Sequence, residues 1–99
     1  LYNNERRKIV HTEKIFKALS CKWRIEIIKQ AAKQDLCICD LEAANHIDKT
    51  TISRHIAILQ NAGIIELQRE GQRKRIVLKD SRVLELINLA EKIAKEYSF

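Results

Sequence analysis

Two groups of residues in this 99-residue chain could do chemistry: the pair Cys37-Ile38-Cys39 and the run Lys49-Thr50-Thr51-Ile52-Ser53-Arg54-His55. Thiolates are soft donors, so the cysteine pair suits As(III), Sb(III), Cd(II), Pb(II) or Zn(II) better than Mg(II) or Ca(II). Asp40, Glu42 or His46 could complete a zinc- or cadmium-like set. The pair opens an apolar-spaced segment, and a helix N-terminus there favours thiolate through its dipole and free N–H groups. The two cysteines are too close in sequence for an ordinary mutual disulfide, and a total of three is odd, which argues against a secreted disulfide scaffold. In a regular helix residues i and i+2 point about 200° apart, so both sulfurs reach one ion only if the first turn opens. The competing reading is two small buried cysteines that pack as hydrophobes.

The second group belongs to a helix. Ile52, Ile56 and Leu59 repeat at i, i+4 and i+7, Asp48 stands where a side-chain oxygen caps the first N–H groups, and Gly63 stands where a helix closes through a left-handed residue. With the isoleucines inward, the opposite side presents Lys49, Thr50, Ser53, Arg54 and Ala57, flanked by Thr51 and His55. Small donors and cations without acids fit the major groove of DNA. A helix that is merely basic on its wet side is the alternative.

Beyond Gly63 the apolar period changes from 3.6 to two, predicting a hairpin around Glu70-Gly71-Gln72-Arg73 with Gly71 at a positive φ. Its tip and exit carry Arg69, Gln72, Arg73, Lys74 and Arg75. Cations concentrated on one turn repel each other, so contact with phosphate explains them better than stability does. Strand edges blunted by charge against aggregation are the bland account.

Other elements must position these groups. A first helix over roughly Asn4 to Leu19 carries Ile9, Phe16 and Leu19 and begins on Arg6-Arg7-Lys8, which suits either phosphate or plain solvent. Ser20 is the expected N-cap of a second helix with Trp23, Ile27, Ile28, Ala31 and Ala32 on one side, where Trp23 is core or subunit-contact material. The last segment, Asp80 to Tyr97, spaces Val83, Ile87, Ala90, Ala94 and Tyr97 by four and three, with Leu84, Leu86 and Ile93 widening the stripe. That stripe is too apolar for the terminal helix of a small monomer and predicts packing against its own copy or the first helix of a second subunit; packing within one subunit competes.

The length predicts one domain over residues 1–99, and the formal charge of +6 points to an anionic partner, by default nucleic acid. No apolar run approaches the roughly 18 residues of a membrane span and no cleavable leader is visible, so a cytoplasmic protein without membrane contact is expected. With Leu1 first and no methionine anywhere, a longer N-terminus is expected. Neither a glycine-rich phosphate loop nor a nucleophile–base set appears, so an enzyme is not expected.

Taken together, Phe16-Lys17-Ala18-Leu19 leading into Trp23-Arg24-Ile25, then Leu36-Cys37-Ile38-Cys39-Asp40-Leu41, then Thr51-Ile52-Ser53-Arg54-His55-Ile56 with Leu59 and Ala62-Gly63-Ile64-Ile65, then Arg69-Glu70-Gly71, make the chain resemble the ArsR/SmtB-type arsenical- and metal-responsive repressors. The resemblance covers nearly the whole length. It implies a mostly α winged helix-turn-helix with a small β-hairpin (α-α-α-α-β-β-α) that dimerises through its first and last helices, with Ile9, Phe16, Val83, Ile87, Ala90, Ala94 and Tyr97 at the contact. The recognition helix would be Lys49 to Ala62 and the wing Leu67 to Val77, and a homodimer would read an inverted-repeat operator. DNA contacts would fall on Lys49, Thr50, Thr51, Ser53, Arg54, His55, Gln72, Arg73, Lys74 and Arg75. Cys37 and Cys39 match the family's inducer motif, so a thiophilic ion bound there would release the repressor, by distorting the turn and tilting the recognition helix out of register.

The sequence departs from the close arsenical sensors at position 42, where Glu42 stands in place of a third cysteine. Cys21 lies about 18 Å away along a second helix of a dozen residues, so a third sulfur would come across the dimer, or a ligand from an N-terminal arm. The family's second site, on the terminal helix, needs histidines that residues 80–99 lack. A thiol-redox or persulfide-responsive repressor on the same scaffold, pairing Cys37 or Cys39 with Cys21 of another subunit, is the alternative, and a winged helix that binds only protein is a third.

Overall fold

A computed structural model describes residues 9–44 and 48–98. In chain order it contains α1 (Thr12–Leu19), α2 (Lys22–Lys33), β1 (Leu36–Cys37), α3 (Ile38–Ala44), α4 (Lys49–Asn61), β2 (Ile65–Glu70), β3 (Arg73–Leu78) and α5 (Arg82–Tyr97). This is a winged helix-turn-helix with five helices, as predicted, plus a strand that the sequence did not announce. The sheet order is β1-β3-β2, all antiparallel, with Leu36 opposite Ile76 and Cys37 opposite Arg75.

The ends of α4 follow from local chemistry. Asp48 Oδ1 accepts the backbone N–H of Thr51 at 2.7 Å, satisfying one of the free donors of the first turn. At the other end Gly63 takes φ +76°, the Gly63 N–H reaches Gln60 O at 2.9 Å and the Ile64 N–H reaches Leu59 O at 3.0 Å. Those two bonds close the helix as a Schellman motif, and the same turn directs Ile64 and Ile65 into the core. Gly71, at φ +64°, turns the hairpin.

Ile52, Ile56 and Leu59 of α4 join Ile27 and Ile28 of α2, Leu41 of α3, Ala18 of α1, Ile76 of β3 and Ile87 of α5 in one core. No charged or polar residue is buried among the described ones. The helix α2 touches α1, α4, α5 and β3, and so holds α4 and the terminal helices in one body.

Some expectations need correction. Among the described residues the first helix starts at Thr12, with His11 as its cap residue and Ile9 and Val10 outside it; the expected start near Asn4 and the run Arg6, Arg7 and Lys8 fall outside the described residues. Ser20 does not cap α2: its hydroxyl donates to Lys17 O at 2.6 Å, finishing α1, and Cys21 occupies the cap position without a side-chain bond. Trp23 is 44% exposed and therefore not core. On α5, Ile87 is buried and Val83, Leu84 and Leu86 are half-buried, whereas Ala90, Ile93, Ala94 and Tyr97 are exposed.

Candidate nucleic-acid interface and thiol centre

The outer face of α4 is as the periodicity required. Lys49, Thr50, Ser53, Arg54 and Ala57 are all exposed, Thr51 is half-buried beside the cap, and neither Lys49 nor Arg54 has a hydrogen bond or salt bridge among the described residues. The backbone N–H of Thr51 and the nearby Arg54 charge hold the Asp48 carboxyl below its usual range, so the cap stays ionised at neutral pH. His55 stands apart from this set. Its Nδ1 lies 3.3 Å from an Arg24 terminal nitrogen, and Arg24 also donates from Nε to Ala18 O at 2.7 Å and from its other terminal nitrogen to Lys17 O at 3.2 Å. Burial, then the Arg24 and Arg54 charges, push the imidazole down from its ordinary value. A neutral ring accepting from Arg24 at Nδ1 carries its proton on Nε2. Thus His55 ties α4 to the end of α1.

The wing residues divide into two pairs. Gln72 and Lys74 are exposed at the tip. Arg73 donates to Asp35 Oδ1 at 3.2 Å and to Glu70 Oε1 at 3.3 Å. Arg75 donates to Gln68 Oε1 at 2.6 Å, and its Nε, which is buried and has no hydrogen-bond partner, lies 4.0 Å from Asp35 and 3.8 Å from Glu70. Repulsion among the wing cations is therefore offset in part by two acids. Glu70 is adjacent in sequence and could have been counted. Asp35 could not, because only the pairing of β1 with β3 brings it there.

The cysteines meet at the junction of β1 and α3. Cys37 is buried in the strand and Cys39 is exposed in the first helical turn. The Asp40 N–H donates to Cys37 Sγ at 3.3 Å while the Cys37 N–H donates to Asp40 Oδ2 at 2.9 Å. These reciprocal bonds form a capping box in which sulfur replaces the usual hydroxyl. Contrary to expectation, Cys37 and Cys39 form a disulfide, with Cα atoms 5.2 Å apart. That expectation rests on closeness in sequence, while the expected opening of a helical turn rests on both cysteines lying in one helix; Cys37 instead lies in β1. With Cys37 extended, the two side chains turn to the same side and no helical turn has to open.

For a metal, Cys37, Cys39 and Asp40 offer ligand atoms that all lie within 4.8 Å of one another. One ion with sulfur bonds of about 2.3 Å can span such a set, once the disulfide is reduced to two thiols. Glu42 is half-buried and outside this group, and His46 lies outside the described residues. Cys21 is a free, half-buried thiol at the start of α2, the opposite end of that helix from β1.

An apolar groove between α1, α2 and α5 is lined by Phe16, Leu19, Ile25, Leu86, Ile87 and Ala90. Of its lining Phe16 is 56% exposed; elsewhere Tyr97 is 70% exposed near the end of α5, and Ile9 is 81% exposed at the start of the described chain. Among the described residues no helix is long and apolar enough to cross a membrane.

Residues 21–66, from the cap of α2 into β2, match the bacterial regulatory proteins of the arsR family. The CadC cadmium resistance regulator of Listeria innocua is 31% identical over 84 residues, covering 82% of this chain and 69% of that protein. The chain belongs to the arsR family. Its members are regulatory proteins rather than enzymes. Another relative, an SmtB transcriptional repressor homologue of Synechocystis, is 31% identical over 71 residues, or 72% of this chain. The chain spans only about half (54%) of that relative's length. Among solved structures, the homodimeric winged helix-turn-helix DNA-binding domain from Mycobacterium bovis superposes with a TM-score of 0.76 at 25% identity, covering 88% of this chain and 81% of that one.

Proposed function

We propose that this arsR-family chain is a homodimeric transcriptional repressor that binds an inverted-repeat operator and leaves it when a thiophilic metal or metalloid ion occupies Cys37 and Cys39. The observation that carries the DNA reading is the face of α4: its apolar side is buried while Lys49, Thr50, Ser53 and Arg54 stand bare on the other. Arg54 would read a base edge, Lys49 and the hydroxyls would fix the helix in the groove, and Gln72, Arg73, Lys74 and Arg75 would meet phosphate. Two subunits joined through Ile9, Phe16 and the exposed half of α5 would set two copies of α4 about 34–36 Å apart.

The convergence of Cys37, Cys39 and Asp40 and the likeness to a cadmium resistance regulatory protein support the metal reading. A soft cation would supply bonds to two thiolates there. The Cys37 sulfur and the Asp40 carboxylate already cap α3, so ligation competes with the cap and loosens the helix that leads into α4. Which ion fits best follows from the third donor, and a carboxylate favours Cd(II), Zn(II) or Pb(II) over As(III). The test is the affinity of the reduced protein for a duplex enriched from random sequence by selection, measured with and without Cd(II). Loss of affinity is expected, and a Cys37→Ser, Cys39→Ser double variant should keep its grip. Unchanged affinity at full Cd(II) occupancy overturns the metal reading.

The disulfide favours a second reading, a thiol-redox repressor with the pair closed within one chain instead of onto Cys21. Two thiols would give up two electrons and two protons to a hydroperoxide, which leaves as alcohol and water. Release by peroxide but not by Cd(II) selects this reading.

A further inference from the structure

The cysteine centre and the wing share one sheet, because β1 and β2 both pair with β3. Cys37 sits opposite Arg75 across the β1–β3 ladder. Two residues before it, Asp35 accepts a hydrogen bond from Arg73 and lies 4.0 Å from Arg75. Glu70, on the neighbouring strand, closes the same group from the other side, at 3.3 Å from Arg73 and 3.8 Å from Arg75. Two guanidiniums are thus held by two carboxylates, and both arginines keep only about a third of their side chains exposed (34% and 35%). Lys74, between them, is exposed and without a salt bridge among the described residues.

A guanidinium paired to a carboxylate is not available to a phosphate, since each phosphate contact requires the cation to face the backbone and displace counterions. The Arg73 pairs are solvent-exposed, which makes them weak enough for a polyanion to compete with, whereas the Nε of Arg75 is buried beside the same two acids. Glu70 is on the hairpin and moves with the arginines. Asp35 immediately precedes β1, the strand that leads into the cysteine centre, so its position depends on β1.

We propose that Asp35 and Glu70 form an acid clamp on Arg73 and Arg75, and that occupancy of the Cys37/Cys39 centre, by fixing β1, holds the clamp closed and withdraws two cations from the wing. Asp35 is the positioning residue of this device. The coupling half rests on the effector reading above; the clamp itself does not. Signal passes through the sheet, in addition to whatever passes through α3 to α4, and it alters the non-sequence-specific part of DNA binding.

The experiment uses the reduced chain, a labelled duplex of random sequence and a series of salt concentrations, because phosphate contacts carry no sequence information. In metal-free protein, Asp35→Asn and Glu70→Gln should each bind several-fold more tightly than wild type. Their plots of log affinity against log salt should be steeper by about 0.9 for each arginine released. With Cd(II) added, wild type should lose affinity and slope, while Asp35→Asn should lose much less although its thiolate-to-metal absorption is unchanged. Equal salt slopes in the metal-free proteins overturn the clamp. Equal responses of wild type and Asp35→Asn to Cd(II) overturn the coupling and leave the metal reading intact. A wild type that binds Cd(II) with no change in affinity overturns the effector reading, while the metal-free slopes still decide the clamp.

Discussion

Arg54 on α4 and Arg73 on the wing both belong to surfaces proposed to face DNA, yet Arg54 has no salt bridge among the described residues while Arg73 rests between Asp35 and Glu70. The difference lies in what stands behind each. The helix α4 is anchored from beneath by Ile52, Ile56 and Leu59 and capped at both ends, so its outer side chains need no partners to stay in place. The hairpin supplies two of the three strands of the sheet, and those strands are buried only at Ile65 and Ile76. Its charges are arranged by one another. A surface that reads bases needs fixed positions, whereas one that grips phosphate tolerates adjustable ones.

The largest effect should come from removing what holds α4. Leu59→Ala empties a fully buried site and should cost about 2–5 kcal/mol of unfolding free energy in urea titration. A cost typical of a surface change would mean α4 is not anchored in the way its burial implies. Next, Arg54→Ala should forfeit about 1–3 kcal/mol of discrimination between the selected duplex and a scrambled one, whereas Lys74→Ala should weaken both alike and lower the salt slope by about one contact. Uniform weakening by both substitutions would erase the distinction between helix and wing.

The smallest effect concerns the cap. Folding lowers the Asp48 pKa below its ordinary 3.8, chiefly through the Thr51 N–H. The unfolded chain therefore takes up this proton first, and the stabilisation is full above about pH 4 and fades as pH falls through the folded value. Asp48→Ala should lower the thermal midpoint at pH 6 and lower it less at pH 2.5, where the unfolded chain already holds this proton. An equal drop at both pH values would assign the loss to something other than the ionised cap.

Much of this could be read from the sequence because it depends on neighbours within a few residues. The Asp48 cap, the Gly63 and Gly71 turns, the buried face of α4 and the change of period at the hairpin are all of that kind. The strand β1 was invisible because two residues show no period, and its partner lies about 40 residues downstream. From that one omission follow the placement of Cys37 in a helix and the missed Asp35 clamp; the missed disulfide has another source, the closeness of the two cysteines in sequence. Ser20 was assigned to the wrong helix because it stands between two and a hydroxyl serves either. The role of Arg24, which binds the end of α1 to His55, had no local signal at all.

The central claim is that α4 and the hairpin tip together meet DNA. It is tested most directly by following the backbone amide resonances of the reduced protein as a selected duplex is added. The account predicts that the largest shifts fall on residues 49–57 and 70–75. Shifts centred on α2 or α5, with those two stretches unmoved, would contradict it.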